Sequence, residues 1–188
     1  NERVANSNWR SLHNPVTVNM LETGAGIPDG LADDDVYYNR RGRSNATRAL
    51  RDFHNKYVKH TLIVGAVKPG GTIIDLAAGK AGDLPKWTDA KASFVLGIDI
   101  SRDNVHNAKD GACARYIRYK ASVPSLPGAL FLPGDSSQNV REGVAYSSTK
   151  SRTLSAAIFG QGQKRKTTLG PMVYDHYGVG ANGFGTCS

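Results

Sequence analysis

The sequence predicts an α/β fold in which a parallel sheet is flanked by helices. The prediction rests on short apolar runs that alternate with segments of helical spacing. Residues 72–77 and 94–100 are two such runs, and each is apolar enough to form a buried strand. A third strand is expected at residues 129–132, just before Pro133. Strands separated by helical segments indicate parallel pairing with right-handed crossovers, and 188 residues suffice for one such domain.

The first predicted helix begins at a cap, Asn45 or Thr47, and ends near residue 64. Its spacing predicts an amphipathic helix whose apolar face consists of Leu50, Phe53, Tyr57 and Val64. A neighbouring face, with members four residues apart, carries Arg51, Asn55 and Lys59.

Three further helices are predicted between and after the strands. One runs from Asp83 past Trp87, and one runs from about Arg102 into the segment before Arg115. The last covers residues 151–159. The Gly-rich basic stretch that follows is interpreted as a loop.

The two ends of the chain are expected to differ in character. Residues 1–36 are rich in Gly, Pro and Asp and predict an arm or a linker remnant, so that the folded domain covers residues 37–188. Residues 184–188 are interpreted as the start of a fourth strand. The sheet is therefore expected to be incomplete on its carboxyl-terminal side.

Basic side chains outnumber acidic ones, 24 to 16, which gives a net charge of +8. They concentrate in two clusters, residues 40–59 and 150–166. Such clusters favour a polyanionic partner such as a nucleic acid, although each is also compatible with a solvated surface.

Cysteine use and hydropathy favour the cytoplasm. Cys113 and Cys187 lack the spacing of a zinc site or a disulfide framework, which fits a reducing compartment. The first residues carry no apolar leader, and no run approaches the roughly 20 apolar residues of a membrane span.

The segment 75–83, DLAAGKAGD, carries the chemistry of the sequence. It lies between a predicted strand and a helix, where small residues let the backbone approach a ligand and the helix offers unpaired N–H groups. Asp99 follows at the end of the next strand, where an acid can accept both hydroxyls of an adenosine ribose. Asp135, after the third strand, could then reach the adenine. The alternative is a tight turn with a solvent-facing acid.

Other catalytic patterns are absent from the sequence. No HExxH or GxSxG motif occurs, the histidines show no metal-ligand spacing, and no metal site is expected. Residues 178–183 match GxGxxG but precede a predicted strand instead of following one, so they are interpreted as a flexible loop.

Several blocks together resemble the mRNA cap guanine-N7 methyltransferases. These are residues 50–59 (LRDFHNKYVK), residues 75–83 with Lys86 and Trp87, and residues 97–100 (GIDI). Residues 36–40, 157–162, 169–170 and 174–178 are similar to the versions carried by large DNA viruses. The resemblance implies a class I methyltransferase, Rossmann-like fold with S-adenosyl-L-methionine as cofactor. Compared with that fold, only the N-terminal half of the sheet would be present.

The resemblance also implies roles for individual residues. The cofactor carboxylate would meet the Lys59 side chain and the backbone of Ala77, Ala78 and Gly79. Asp83 would lie near the methionine amino group, Asp99 would hold the ribose, and Ile100 would also bind the cofactor. The adenine would be flanked by Asp135 and Ser136. Ala77 and Ala81 stand where the family usually has glycine.

Three residues are implied for the cap itself. Asn55 and Lys80 would face it, Lys80 toward its phosphates, and Arg115 is a second candidate for the phosphates. The alternatives are a helix-surface asparagine and a solvated lysine at a helix start. No residue is assigned a catalytic role, because the family mechanism requires only that the methyl donor and guanine N7 be aligned.

The function implied is methyl transfer from S-adenosyl-L-methionine to N7 of the cap guanine of capped mRNA. The large viral members carry triphosphatase and guanylyltransferase modules upstream, so such domains are possible partners, and the location would be the host cytoplasm or the virion. The alternatives are a class I methyltransferase acting on another RNA or a small molecule, and a non-catalytic RNA-binding module derived from this fold.

Overall fold

The computed structural model describes residues 48–162, 164–181, 183 and 184, together with Trp9, Thr17 and Val18. The chain divides into two compact units, Asn1–Arg43 and Ser44–Ser188. In the first unit the side chains of Trp9 and Val18 are exposed. The expected boundary between arm and domain after residue 36 lies outside the described residues and stays a prediction.

In the described residues, the second unit is built on a parallel sheet of three strands in the order β1-β2-β3. Their bounds are Thr72–Asp75, Phe94–Asp99 and Gly128–Pro133. Ile73 is opposite Val95 in β2, and Val95 is in turn opposite Ala129 in β3. All six residues of β2 are buried, as expected of a central parallel strand covered on both faces. The predicted α/β parallel fold is confirmed.

Helices cover both faces of this sheet. The alternation of side chains along β2 sends Phe94, Leu96 and Ile98 to one face and Val95 to the other. The helices are α1 Arg48–Phe53, α2 Lys59–Ala66, α3 Leu84–Asp89, α4 Arg102–His106, α5 Ala112–Ser122, α6 Thr149–Ile158, α7 Lys166–Leu169 and α8 Pro171–Tyr177. On the first face the core contains Leu154, Ile158, Val173 and Tyr177, and on the second it contains Trp87, Val105, Tyr116 and Phe131.

The first helical segment differs from its prediction in two ways. A π-helix, His54–Val58, separates α1 from α2, and the N–H of Lys59 donates to the carbonyl of His54 five residues earlier. The predicted apolar face is not buried, because Leu50, Phe53 and Tyr57 are 59%, 54% and 67% exposed. The Phe53 and Tyr57 rings instead stack on each other, with centroids 6.0 Å apart. Apolar spacing therefore predicted the helix but not its packing, and both candidate caps lie outside the described residues.

The helix expected from Arg102 to before Arg115 is two helices. The chain turns at residues 107–111, where the side-chain oxygen of Asn107 accepts from the N–H groups of Lys109 and Asp110. Gly111 is required there, since a Cβ at this position would lie 2.6 Å from the Asn107 nitrogen. The second helix, α5, then extends past Arg115 to Ser122.

The stretch after residue 159, interpreted as a loop, also contains two short helices, α7 and α8. Leu169, Val173 and Tyr177 are buried from these helices, at a spacing of four residues that the Gly170-Pro171 pair obscured in the sequence. Phe184, expected to begin a fourth strand, lies in a turn, and residues 185–188 fall outside the described residues.

Candidate functional site

The loop between β1 and α3 passes directly over the end of β2. It leaves β1 in a turn in which the Ala77 N–H donates to the Asp75 carboxylate (3.1 Å). The Ala78 N–H then donates to the carbonyl of Ile98 (2.9 Å). Gly97 makes this approach possible, since a Cβ there would lie 3.0 Å from the Ala78 methyl and 2.5 Å from the Phe131 ring. The small residues of the 75–83 segment therefore bring backbone N–H groups to the carboxyl end of the sheet.

Two residues of the loop adopt left-handed backbone conformations. Gly79 and Ala81 both have φ of +54°. Glycine enters this region without penalty, whereas an L-residue with a Cβ costs roughly 1–2 kcal/mol there. Ala81 is fully buried. An alanine at this position therefore holds a strained backbone at the centre of the loop.

Asp99, at the end of β2, has its carboxylate in the middle of a hydrogen-bond network. One oxygen accepts from the Gly79 N–H (2.7 Å), which ties the loop to β2. The other oxygen accepts from the Ser101 N–H (2.9 Å) and the Asn104 side-chain amide (3.1 Å). Ser101 also caps α4 by accepting from the Asn104 N–H. The acid is 9% exposed, so it is a structural anchor of the loop as well as the predicted ribose acceptor.

A charge cluster lies beside this anchor. The buried carboxylate of Asp83 pairs with the Lys59 ammonium (2.5 Å) through one oxygen and with the Lys86 ammonium (2.7 Å) through the other. Burial acts to raise the pKa of Asp83, but the two lysines outweigh it and the pKa is lowered. Lys86 is largely buried, whereas the Lys59 side chain is about half exposed. Lys59 therefore presents a cation at the surface of the cluster.

Asp75 completes the acidic side of the cluster. Burial raises the pKa of its carboxyl, the Ala77 N–H counteracts burial, and the nearby charge of Asp83 raises the pKa again. Lys59 lowers it, and Asp99 adds a smaller repulsion. The carboxylates of Asp75, Asp83 and Asp99 thus share one electrostatic environment at the carboxyl ends of β1 and β2.

Lys80 is not the solvated lysine of the alternative interpretation. It is 8% exposed, and its ammonium donates to both carboxylate oxygens of Asp110 at 3.0 Å. Asp103 lies farther away, at 3.9 Å. Asp110 is more than half exposed. The ion pair of Lys80 is therefore open to solvent on its Asp110 side.

The adenine-side candidates lie where the third strand ends. Asp135 accepts from the Ser137 N–H (2.9 Å), and the hydrogen bonds at Ser137 lower its pKa. Its own N–H donates to the carbonyl of Ala145 (2.9 Å). Ser136 is exposed. Ile100, next to Asp99, is 68% exposed and offers an apolar surface at the same edge.

Two candidates are not joined to this site. Asn55 is exposed within the π-helix and Arg115 is exposed on α5. In the described part of the chain neither hydrogen-bonds a residue of the cluster. The predictions that they contact a substrate therefore stay predictions.

Sequence reasoning did not assign roles to Asp75, Lys86 or Asp110. Asp75 begins the 75–83 segment, and Lys86 lies one turn beyond Asp83 on the next helix, so a search for charges near the motif would have found both. Asp110 reaches Lys80 across 30 residues and leaves no local signal.

The described residues contain neither a candidate membrane span nor a candidate metal cluster. No helix in this part of the chain is long and apolar enough to cross a membrane. No group of three or more His, Cys, Asp or Glu side chains there could hold a metal ion.

Comparison with known proteins assigns the family. Residues 33–156 match the family model described as the mRNA (guanine-N(7))-methyltransferase domain. A probable mRNA-capping enzyme of Acanthamoeba polyphaga mimivirus is 27% identical over 149 residues, which cover 72% of this chain and 13% of the viral protein. The cap guanine-N(7) methyltransferase of Saccharomyces cerevisiae is 42% identical over 59 residues (31% of this chain, 13% of that protein). The mRNA cap guanine-N(7) methyltransferase 1 of Oryza sativa subsp. japonica is 35% identical over 74 residues (38% of this chain, 20% of that protein).

The chain therefore spans a fifth or less of the length of these relatives. The family model nevertheless covers about two thirds of the chain, including all three strands and the loop 75–83. With the parallel α/β sheet and the acid-bearing strand ends, this match shows that the chain belongs to the mRNA (guanine-N7)-methyltransferase domain family.

Proposed function

We propose that this chain binds S-adenosyl-L-methionine and carries out methyl transfer to N7 of the cap guanine of mRNA. The observation that carries the proposal is the convergence of Lys59 and Asp99 on the loop 75–83, at the carboxyl ends of β1 and β2. Lys59 pairs there with Asp83, and Asp99 accepts from the Gly79 N–H. This is the edge of an open parallel sheet at which ligands bind. The upstream triphosphatase and guanylyltransferase partners, and a cytoplasmic or virion location, remain predictions.

The charges of the cluster suit the methionine end of the proposed cofactor. That end carries one carboxylate and one ammonium group. Lys59 is the more exposed cation and would hold the carboxylate, together with the backbone near Ala77, Ala78 and Gly79. Asp83 would then exchange part of its contact with Lys59 for the cofactor ammonium, while Lys86 keeps its other oxygen paired. Two opposite charges are thus already placed for a zwitterion, which lowers the cost of ordering the site.

The nucleoside end suits the remaining residues. Asp99 would accept the ribose hydroxyls, although one of its oxygens already accepts from Gly79. Ile100 would lie under the adenine, with Asp135 and Ser136 at its edge. Lys80 would meet a cap phosphate in place of Asp110, and Asn55 and Arg115 are further candidates for the cap.

When bound, the sulfonium supplies an activated methyl group, which N7 accepts through its lone pair as the carbon–sulfur bond breaks. What the chain must do is hold the two reactants in line and exclude water. No side chain is required to take up a proton, because guanine N7 carries none.

Calorimetric titration of S-adenosyl-L-methionine tests the first half of the proposal. The wild-type chain should bind, and Asp99→Ala should weaken binding by at least about tenfold, through loss of the ribose contacts and of the Gly79 hydrogen bond that fixes the loop. Asp175→Ala, an exposed acid on α8, is the matched control and should bind normally. Equal binding by Asp99→Ala and wild type would contradict the site assignment.

Radiolabelled methyl transfer tests the second half. Label should enter capped RNA as N7-methylguanine and should not enter the same RNA without a cap. Lys80→Ala should chiefly weaken the response to capped RNA while leaving cofactor affinity near that of the wild type. Label in uncapped RNA would instead favour a methyltransferase with another substrate. Cofactor binding without methyl transfer to any RNA would contradict the proposed activity.

A further inference from the structure

A concave surface outside the candidate cofactor site lies between α6, the loop that precedes it and the segment that follows it. It is a cavity of about 510 Å³. Its polar lining consists of Arg141, Glu142, Arg152, Thr153, Gln161 and Thr168. The family match ends at residue 156, so the part of the lining after α6 lies beyond it.

Small residues shape the rest of the wall. Gly143, Ala156 and Gly162 line the cavity between the polar side chains. Gly143 and Gly162 have φ of +78° and +73°, a region in which a side chain would be strained. A Cβ at Gly143 would lie 3.6 Å from Arg152 Cγ, so the arginine stem packs on that glycine. Gly143 is buried, whereas Gly162 is exposed, so the backbone of this wall is accessible at Gly162.

The charge of the cavity is positive. Arg152 donates from Nε to the carbonyl of Tyr146 (2.8 Å), which orients its guanidinium and uses one of its five N–H groups. Arg141 is exposed and adds a second guanidinium, against the single carboxylate of Glu142. Arginine pairs and hydroxyl or amide donors are the groups that bind phosphate oxygens and sugar hydroxyls.

The cavity is connected to the candidate cofactor site through one loop. The loop starts at Asp135, whose N–H donates to the carbonyl of Ala145. Arg141, Glu142 and Gly143 lie between these two anchored points. All polar lining residues are exposed or half-buried, so the cavity is open to solvent and can admit a passing polymer.

We propose that this cavity binds the phosphodiester backbone of the RNA that follows the cap. The inference rests on the proposed function, since it names where the body of the capped substrate lies. A polymer fits better than a small anion because the donors are spread over a loop, a helix and the following segment. The lysines and arginine at 164–166 extend the same basic surface along the sequence.

Direct RNA binding to the whole chain tests the proposal. The probe is a fluorescent, uncapped single-stranded RNA of about ten nucleotides, a length within the range of single-strand sites. Arg141→Gln should weaken its binding roughly three- to tenfold and reduce the slope of log Kd against log salt by about 0.7, the value for one phosphate contact on a single strand. Arg141→Lys should restore most of the affinity. Arg118→Gln is the matched control, because Arg118 is exposed on α5 outside the cavity lining.

Equal binding by Arg141→Gln and Arg118→Gln would overturn the proposal, as would an unchanged salt slope. The assay needs neither a cap nor a methyl donor, so its result is separate from that of the proposed function. Arg141-dependent RNA binding without methyl transfer would support RNA binding by the cavity and contradict the proposed methyltransferase activity. Methyl transfer to capped RNA with no effect of Arg141→Gln on RNA binding would support the activity and contradict RNA binding by the cavity.

Discussion

Replacing Lys86 with methionine isolates the contribution of one charge to the buried cluster around Asp83. Methionine keeps most of the apolar stem and removes the ammonium that lies 2.7 Å from the carboxylate. Both side chains are almost buried, so solvent screens the pair weakly. A hydrogen bond between charged groups contributes about 1.5–3 kcal/mol. Because Lys59 still pairs with the other oxygen, we expect a loss of about 2 kcal/mol in the free energy of unfolding near pH 7 and not the larger cost of an unpaired buried charge.

The loss should depend on pH in a defined direction. The folded pKa of Asp83 is lowered, so its ionised form contributes stability that is present above the unfolded pKa of about 3.9 and is lost as the pH falls through the folded pKa. The Lys86→Met variant has one lysine opposing burial instead of two, which raises the pKa of Asp83 relative to the wild type. The stability difference should therefore be largest near neutral pH and shrink as both proteins protonate Asp83.

Urea unfolding at several pH values measures this difference. Trp87 is buried and reports on the core, and a Trp9→Phe background removes the other of the two tryptophans. Lys109→Met removes an exposed lysine and should change stability by no more than about 0.5 kcal/mol. An equal loss for Lys86→Met at neutral and acidic pH would refute the electrostatic argument and leave only a packing effect.

Two other substitutions test the packing of the sheet. Gly97→Ala places a methyl 2.5 Å from the Phe131 ring and should cost about 1–3 kcal/mol, together with weaker cofactor binding as the loop 75–83 is displaced. Gly65→Ala is its control, because Gly65 lies on α2 and a Cβ there would meet nothing within 4 Å. This substitution should stabilise the chain by up to about 1 kcal/mol. Equal denaturant midpoints for the two variants would contradict the steric explanation of the Gly97→Ala loss. Tyr116→Phe removes the hydrogen bond to the buried carbonyl of Pro127 (2.9 Å). It should lower the free energy of unfolding by about 1 kcal/mol, which calorimetry would record as a fall of about 2–4 °C in Tm. An unchanged Tm would mean that this hydrogen bond makes no net contribution to stability.

The strands and the motif loop could be predicted from the sequence because their signals are local. A central parallel strand carries a run of residues without polar side chains, as in residues 94–98, and a tight turn at the end of a strand needs small residues, as in the loop 75–83. The acid at position 99 follows from the same logic, since it stands where the strand ends. These features depend on neighbours along the chain and not on distant packing.

The remaining features depend on residues far apart in the chain. Lys59 meets Asp83 across 24 residues and Lys80 meets Asp110 across 30, and neither pair has a fixed spacing to search for. The helical spacing of Leu50 and Phe53 is real, but burial requires a partner surface that periodicity does not specify. At residues 166–177 the Gly170-Pro171 pair is typical of a loop, although here it joins two helices.

Because of the π-helix His54–Val58, a change of one residue in chain length would rotate α1 relative to α2. Its wider turn accommodates one residue more than an α-helical turn, and a residue advances an α-helix by about 100°. Deleting one residue between positions 54 and 58 would allow a continuous α-helix, but it would turn the ridge of Leu50 and Phe53 by that angle relative to Lys59, which Asp83 holds in place. A deletion of a single codon in this segment would therefore change the direction in which Leu50 and Phe53 face, without breaking the helix. Lys59 would stay beside Asp83, so the exposed apolar surface could change its partner in evolution while the charge cluster is kept.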